Sequence, residues 1–377
     1  MLFPGCVGDL PPLSSAALCM ARCGAEVRVA AAGCSVATAA SLRARGVQVV
    51  TLGVERYPLD VWARCGVIIG AGRLFRRCVK GWQPHVLWYH GGHAMRYAPL
   101  LRWGKRVLVV AHAHELYPEG SELDWWQKRC CRTADAVLCP EVNRLCILRL
   151  RSRSGAKFFL VPNDTPSQAL PEPCDRGYAL EVFRQHGGAA ECDELLIYQG
   201  WFAPDRCITE IILAFKCLRR ARAGLILLGS GMDRAYSARI RELIGGDDRI
   251  VVVPRIDPPG HLRVTCGCVG GILLYAPTNL NNIYCAPNKV FEYARAGIPM
   301  IFPSYPGLVA LNDTYELGYH CDPADPASVL AAMQQLFVRR GHWTGEGTRR
   351  FLSSVTPMGA LYGRIMEFLS QGGRAAT

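Results

Sequence analysis

Asn288, Lys289, Glu292 and Arg295 follow Pro287 in the run Asn279–Pro299, and their spacing brings a carboxylate, an amide and two cations close to a helix start. Pro287 suits the first helical position, where a missing N–H is harmless, and Gly297 suits a left-handed stop. At 3.6 residues per turn Asn288, Glu292 and Arg295 share one face, and Val290, Phe291 and Ala294 point to the other. With Ala286 as the cap, no side chain bonds the first-turn amides, so these N–H groups and the positive dipole end can take an anion such as a diphosphate. Lys289 adds a mobile positive charge, and Glu292, one turn along, can accept hydrogen bonds from a ribose diol. The competing reading is a surface helix whose Glu292 and Arg295 are merely solvated.

The elements around this run alternate. Short apolar stretches are separated by longer amphipathic ones, the pattern of βαβ units and parallel sheets. Strands are expected at 28–33, 47–53, 67–71, 85–90, 106–113, 136–139 and 157–161, then at 194–200, 224–229, 249–254, 270–276, 298–302 and 317–321. Only three residues precede Pro4-Gly5, so the first strand is expected to be very short or to lack its usual start. The Pro-rich segment from Pro162 to Pro173 reads as a linker, with the linker proper at 166–176. The fold class is α/β, with a Rossmann-like domain at 1–165, a second at 177–350, and a C-terminal helix near 357–371 that packs back on the first. Ligands of such sheets bind beyond the carboxyl ends of strands, so Tyr198-Gln199-Gly200 and Leu228-Gly229-Ser230-Gly231 are expected to face a cleft. Gly229-Ser230-Gly231 has Arg234 where a dinucleotide fingerprint has its third glycine, and reads better as a tight strand-to-helix turn.

The 377 residues suffice for two such domains. No stretch approaches the roughly 18 apolar residues of a membrane span, and the N-terminus has no signal-peptide pattern, so a cytoplasmic protein is expected. The 18 cysteines are scattered through apolar segments as small buried hydrophobes. Cys130-Cys131 and Cys266-Gly267-Cys268 lack the partners of a zinc site. The net charge of +12 is uneven: residues 1–165 hold 22 Lys and Arg against 11 Asp and Glu, and the remainder 21 against 20. A basic first half implies an anionic partner or a solvated surface. The stretch Arg73–Trp82 aligns Leu74, Phe75, Cys78, Val79 and Trp82 in one stripe flanked by basic residues. Core packing explains that stripe better than a membrane does, while the regional charge implies weak peripheral contact with anionic lipid. No groove-reading or base-stacking motif points to nucleic acid.

The run Pro287–Pro299 resembles the donor-site helix of retaining GT-B glycosyltransferases of family four (glycosyltransferase group 1), especially bacterial enzymes of surface polysaccharide synthesis. Leu196–Gly200 followed by Arg206 is similar to the first strand and helix of their donor domain, where a basic residue neutralises the donor diphosphate. Leu227–Gly231, the strand ending at Arg255, and Gly318-Tyr319 before Asp322-Pro323 match further, and His112–Tyr117 resembles the cleft-facing strand end of the acceptor domain. The resemblance implies two Rossmann-like domains facing each other across a deep cleft, a nucleotide-sugar donor with UDP favoured over GDP, and a glycan or lipid-linked acceptor. It places Gly200, Arg206, Arg255, Asn282, Asn288, Lys289 and Glu292 at the donor, and Gly8, Asp9, His114 and Glu115 on the acceptor side. Arg206, Lys289 and His114 are the candidate catalytic residues: the cations for the leaving diphosphate, the imidazole for the sugar or acceptor hydroxyl, with His112 not separable from His114. Glu115 could instead cap the next helix, and Asp9 could be a turn residue. No Asp-x-Asp stands at a strand end, so no metal or cofactor is expected. The family's first glutamate would stand at 284, where this chain has Tyr284, and only Gly5 and Gly8 remain of its glycine-rich first loop. Two alternatives share the body: a sugar-nucleotide epimerase, which turns over donor without acceptor, and a non-catalytic scaffold that binds nucleotide and releases none.

Overall fold

The computed structural model describes residues 1–54, 61–101, 107–164, 175–231, 233–256 and 259–373. The chain folds as two compact units, Met1–Pro166 with Thr356–Thr377, and Ser167–Val355. The linker placed at 166–176 lies almost wholly outside the described residues.

The first unit is built on β1 (Leu2–Cys6), β2 (Val27–Gly33), β3 (Val47–Thr51), β4 (Val86–His90), β5 (Leu108–His112), β6 (Ala136–Cys139) and β7 (Lys157–Leu160). They form a parallel sheet in the order β3-β2-β1-β4-β5-β6-β7. The second unit carries β8 (Glu194–Trp201), β9 (Ala223–Ser230), β10 (Ile250–Val253), β11 (Gly270–Ile272), β12 (Met300–Pro303) and β13 (Gly318–Cys321). Its parallel sheet runs β10-β9-β8-β11-β12-β13. Both orders are doubly wound, with the reversal of direction between β1 and β4 in one sheet and between β8 and β11 in the other, the places where such sheets open a ligand crevice.

The central strands of each sheet are buried on both faces, which explains their apolar runs. One face of the first sheet packs on α1 (Pro11–Arg22) and the other on α2 (Val61–Trp82). The apolar stripe of α2 is core: Leu74, Phe75, Cys78 and Val79 are buried, while Arg73, Arg76, Arg77 and Lys80 are exposed. In the second unit α3 (Asn288–Arg295) sends Val290, Phe291 and Ala294 into the core, as helical spacing predicts. The last helix, α4 (Met358–Ser370), buries Met358, Leu361, Tyr362, Ile365 and Leu369 against the α1 side of the first sheet.

Two strand expectations fail. Residues 67–71 lie inside α2, because a five-residue apolar run does not distinguish a strand from one turn and a half of a buried helical stripe. Conversely, Leu2–Cys6 is a full strand between β2 and β4 despite Pro4-Gly5. Its register against β2 shifts between Phe3 and Cys6, and its pairing with β4 is Leu2 opposite Tyr89. An irregular ladder absorbs the proline's missing donor there. Among the described residues no helix is long and apolar enough to cross a membrane, and the cysteines there are free thiols.

Candidate functional site

The second unit gathers its cations where β8 and β11 diverge. Gly200 ends the buried part of β8 with φ +133°, and a Cβ there would lie 3.0 Å from Lys289 Cε and Nζ. The backbone angle favours glycine, and the Lys289 side chain lies across the strand end where a Cβ would crowd it. Gly229, its register partner on β9, has φ +151°, and its Cβ would stand 1.8 Å from the Gly200 carbonyl oxygen. The Gly229–Gly231 segment is thus a close-approach turn, in keeping with the turn reading and not with a dinucleotide fingerprint.

Arg206 closes a short 3-10 turn after β8. Its guanidinium lies 4.5 Å from the Tyr275 ring centroid, and Nη1 donates to Asp205 Oδ2 at 2.9 Å. Lys289 Nζ lies 5.7 Å from the same Tyr275 ring and 5.7 Å from Tyr198. Arg206 and Lys289, 83 positions apart by their numbers, are thereby held on one aromatic side chain. Each ring attracts the cations electrostatically and restricts where they sit, without neutralising them.

Lys289 belongs to α3. Pro287, not Ala286, is the cap residue, with extended backbone (φ −77°, ψ 136°), so the helix begins one residue later than the sequence implied. The consequence is unchanged, since no side chain caps the first turn. Gly297 takes φ +67° as the stop. Asn288 stands half-buried at the first helical position.

The expected polar face is corrected at Glu292. The carboxylate is buried, not solvated, and its Oε2 accepts from Gln199 Nε2 at 2.5 Å. Gln199 Oε1 in turn accepts from Thr265 Oγ1 at 2.6 Å, and His261 Nε2 lies 3.5 Å from Glu292 Oε1. Burial alone would raise the Glu292 pKa, but His261, Lys289 and Gln199 together favour the charged form and hold it below its ordinary value. The unfolded chain therefore binds a proton that the folded chain resists. The stabilisation is present above the ordinary glutamate range and is lost as pH falls through the lowered folded value. Unfolding free energy measured from pH 6 down to pH 3 is expected to fall less steeply in Glu292→Gln than in wild type; equal slopes would remove this account.

Asn282 is buried, and its Nδ2 donates to Ala276 O at 3.0 Å and Thr278 Oγ1 at 3.2 Å, with Asp205 Oδ2 at 3.4 Å. Its amide hydrogens thereby tie its own loop to the residue before Arg206. Arg255 is exposed two residues beyond β10.

On the first unit, Gly8 is exposed in the 3-10 turn Val7–Asp9, with open space where a Cβ would be; the side chain of Asp9 lies outside the described residues. Glu115 is exposed and does not cap the next helix, Glu122–Thr133, where Ser121 accepts from the Asp124 amide. His114 is buried, its Nε2 3.1 Å from His90 Nδ1 and its ring 4.1 Å from that of His112. Burial, with the Arg144 charge, pulls the His114 pKa down to about 3, so the imidazole is neutral near pH 7. Tyr275, His261 and His90 are not singled out by the sequence, and Gln199 only as part of a strand end. The signals were an aromatic after a strand for Tyr275, a polar residue inside an apolar strand for Gln199, and for His90 a histidine at the end of the strand beside that of His112; His261 carried none.

The pattern defining the Glycosyl transferase 4-like domain family matches residues 13–202, half of the chain. The chain belongs to that family. As a glycosyltransferase of the 4-like family it also shares its fold with solved structures at low identity. HepE of Anabaena, in complex with UDP and glucose, is 13% identical over 95% of each chain, with a TM-score of 0.68. WaaG, a glycosyltransferase involved in lipopolysaccharide biosynthesis, is 12% identical over 98% of each chain, with a TM-score of 0.68. A putative UDP-N-acetylglucosamine 2-epimerase from Listeria monocytogenes is 10% identical over 99% of this chain and 95% of its own, with a TM-score of 0.66. No curated protein sequence matches it. The 4-like glycosyltransferase thus has the GT-B architecture of two Rossmann-like units, a body that the epimerase shares.

Proposed function

We propose that this glycosyltransferase moves a sugar from a UDP-sugar to a glycan or lipid-linked acceptor in surface polysaccharide synthesis, with retention at the anomeric carbon. The observation that carries the donor assignment is the convergence of Arg206 and Lys289 on Tyr275, beside Gly200 and the uncapped start of α3. Cleavage of the anomeric C–O bond places negative charge on the departing UDP diphosphate and oxocarbenium character on the sugar. Fixed positive groups stabilise that charge as it develops. Arg206 and Lys289 supply two such groups, and the first-turn amides of α3 supply donors along the dipole. Glu292, ionised and oriented by Gln199 and His261, is suited to accept from ribose hydroxyls. The UDP complex of HepE supports the choice of base, and the lipopolysaccharide role of WaaG supports a glycan product. The exposed Arg73, Arg76, Arg77 and Lys80 of α2 support weak contact with anionic lipid at the inner face of the membrane.

A thermal-shift screen of nucleotide diphosphates and their sugars, followed by a UDP-release assay with and without lipid-linked acceptor, tests the reading. A UDP-sugar at about 100 times its Kd should add about 2.7 kcal/mol of stability, and turnover should require acceptor. Conversion of the UDP-sugar to its epimer without acceptor, followed by NMR of the sugar nucleotide, would indicate an epimerase, and nucleotide binding with neither UDP release nor epimer formation a scaffold; either contradicts the proposal.

A further inference from the structure

Register places three histidines of the first unit on one sheet face. His90 and His112 are opposite one another at the ends of β4 and β5, and His114 follows His112 by the two-residue repeat of an extended chain. All three are buried, and one ring nitrogen from each lies within 4.8 Å of the others. His90 Nδ1 and His114 Nε2 share a hydrogen bond of 3.1 Å, a separation close to the roughly 3.3 Å between two nitrogens bound at 2.0–2.1 Å to a tetrahedral ion.

That hydrogen bond accounts for two of the six ring nitrogens. His90 Nε2, both nitrogens of His112 and His114 Nδ1 are buried without a partner among the described residues. Trp88 Nε1 is in the same condition, with its ring 6.1 Å from His90 and 6.2 Å from His112. A buried polar atom without a partner lowers stability, so a group of them at one place points to something that fills it.

We propose that His90, His112 and His114 bind a zinc ion. Three neutral imidazoles with no carboxylate suit zinc over magnesium or calcium, which take oxygen ligands. The fourth tetrahedral position is left for a water. The ion ties the ends of β4 and β5 together. The cations proposed to meet the donor diphosphate, Arg206 and Lys289, belong to the second unit.

Full-length protein, produced in zinc-supplemented medium and desalted, is examined by elemental analysis. Metal-stripped protein is then titrated with Co2+ and its visible spectrum recorded. About one zinc per chain and the intense visible bands of tetrahedral cobalt are expected. His112→Ala should weaken metal retention by at least the 10–100-fold typical of outer-shell changes. Less than about a tenth of a zinc per chain together with no cobalt bands in wild-type protein would overturn the proposal and leave ordered water as the filler. Because wild type gives the reading, a misfolded variant does not blunt the test. UDP binding, measured separately, reports on the donor assignment alone.

Discussion

Replacing Arg206 with alanine is expected to lower kcat about 10²–10³-fold while leaving the fold intact. The guanidinium is held by one ring face and one Asp205 oxygen, and its side chain is 25% exposed. An ion pair so open to solvent contributes little to stability, and Asp205 keeps Asn282 as a neighbour at 3.4 Å after the change. The loss falls instead on the transition state, where removal of one preorganised donor commonly raises the barrier by about 2.7–4 kcal/mol. Arg206→Lys should recover only part of the rate, because an ammonium cannot reproduce a planar group stacked on Tyr275. Circular dichroism with a UDP-release assay separates the two effects. Near-normal transfer by a folded Arg206→Ala protein would refute the assignment.

The second large effect is structural and reaches the same place from behind. Gly229→Val forces a β-branched residue to φ +151° and puts its Cβ 1.8 Å from the Gly200 carbonyl. Both partners are backbone, so no side chain can swing aside. The strained angle alone is worth about 1–3 kcal/mol, and the overlap adds to it, so a loss of about 4 kcal/mol or more is expected. Because β8 and β9 pair through Gly200 and Gly229, any folded fraction should also bind UDP weakly. Soluble yield and urea unfolding measure the effect; a variant within about 1 kcal/mol of wild type would contradict the close approach.

Much of the fold was legible because buried parallel strands are short apolar runs between amphipathic helices. It failed where that signal is ambiguous: at 67–71, an apolar run continuous with a longer helical stripe, and at β1, where Pro4-Gly5 reads as a break although a register shift accommodates it. Helix α3 was placed to within one residue because Pro287 and Gly297 bracket it. Its polar face was only half legible. Helical spacing puts Glu292 beside Asn288, but cannot show that Gln199 and His261, from two other elements, arrive to bury the carboxylate. Tyr275 was illegible for the same reason, since its importance arises from two cations brought to it by separate segments. The buried histidines show the converse limit. His112 and His114 were singled out for chemistry, but His90, which changes their meaning, meets them only through the pairing of β4 with β5.

The central claim is that Arg206, Lys289 and the start of α3 hold a nucleotide's diphosphate. Calorimetric titration of the full chain with UDP and with uridine tests it most directly. UDP should bind at least about 100-fold more tightly than uridine, about 2.7 kcal/mol, and Lys289→Met should remove most of that difference. Equal affinities for UDP and uridine, or a difference that survives Lys289→Met undiminished, would contradict it.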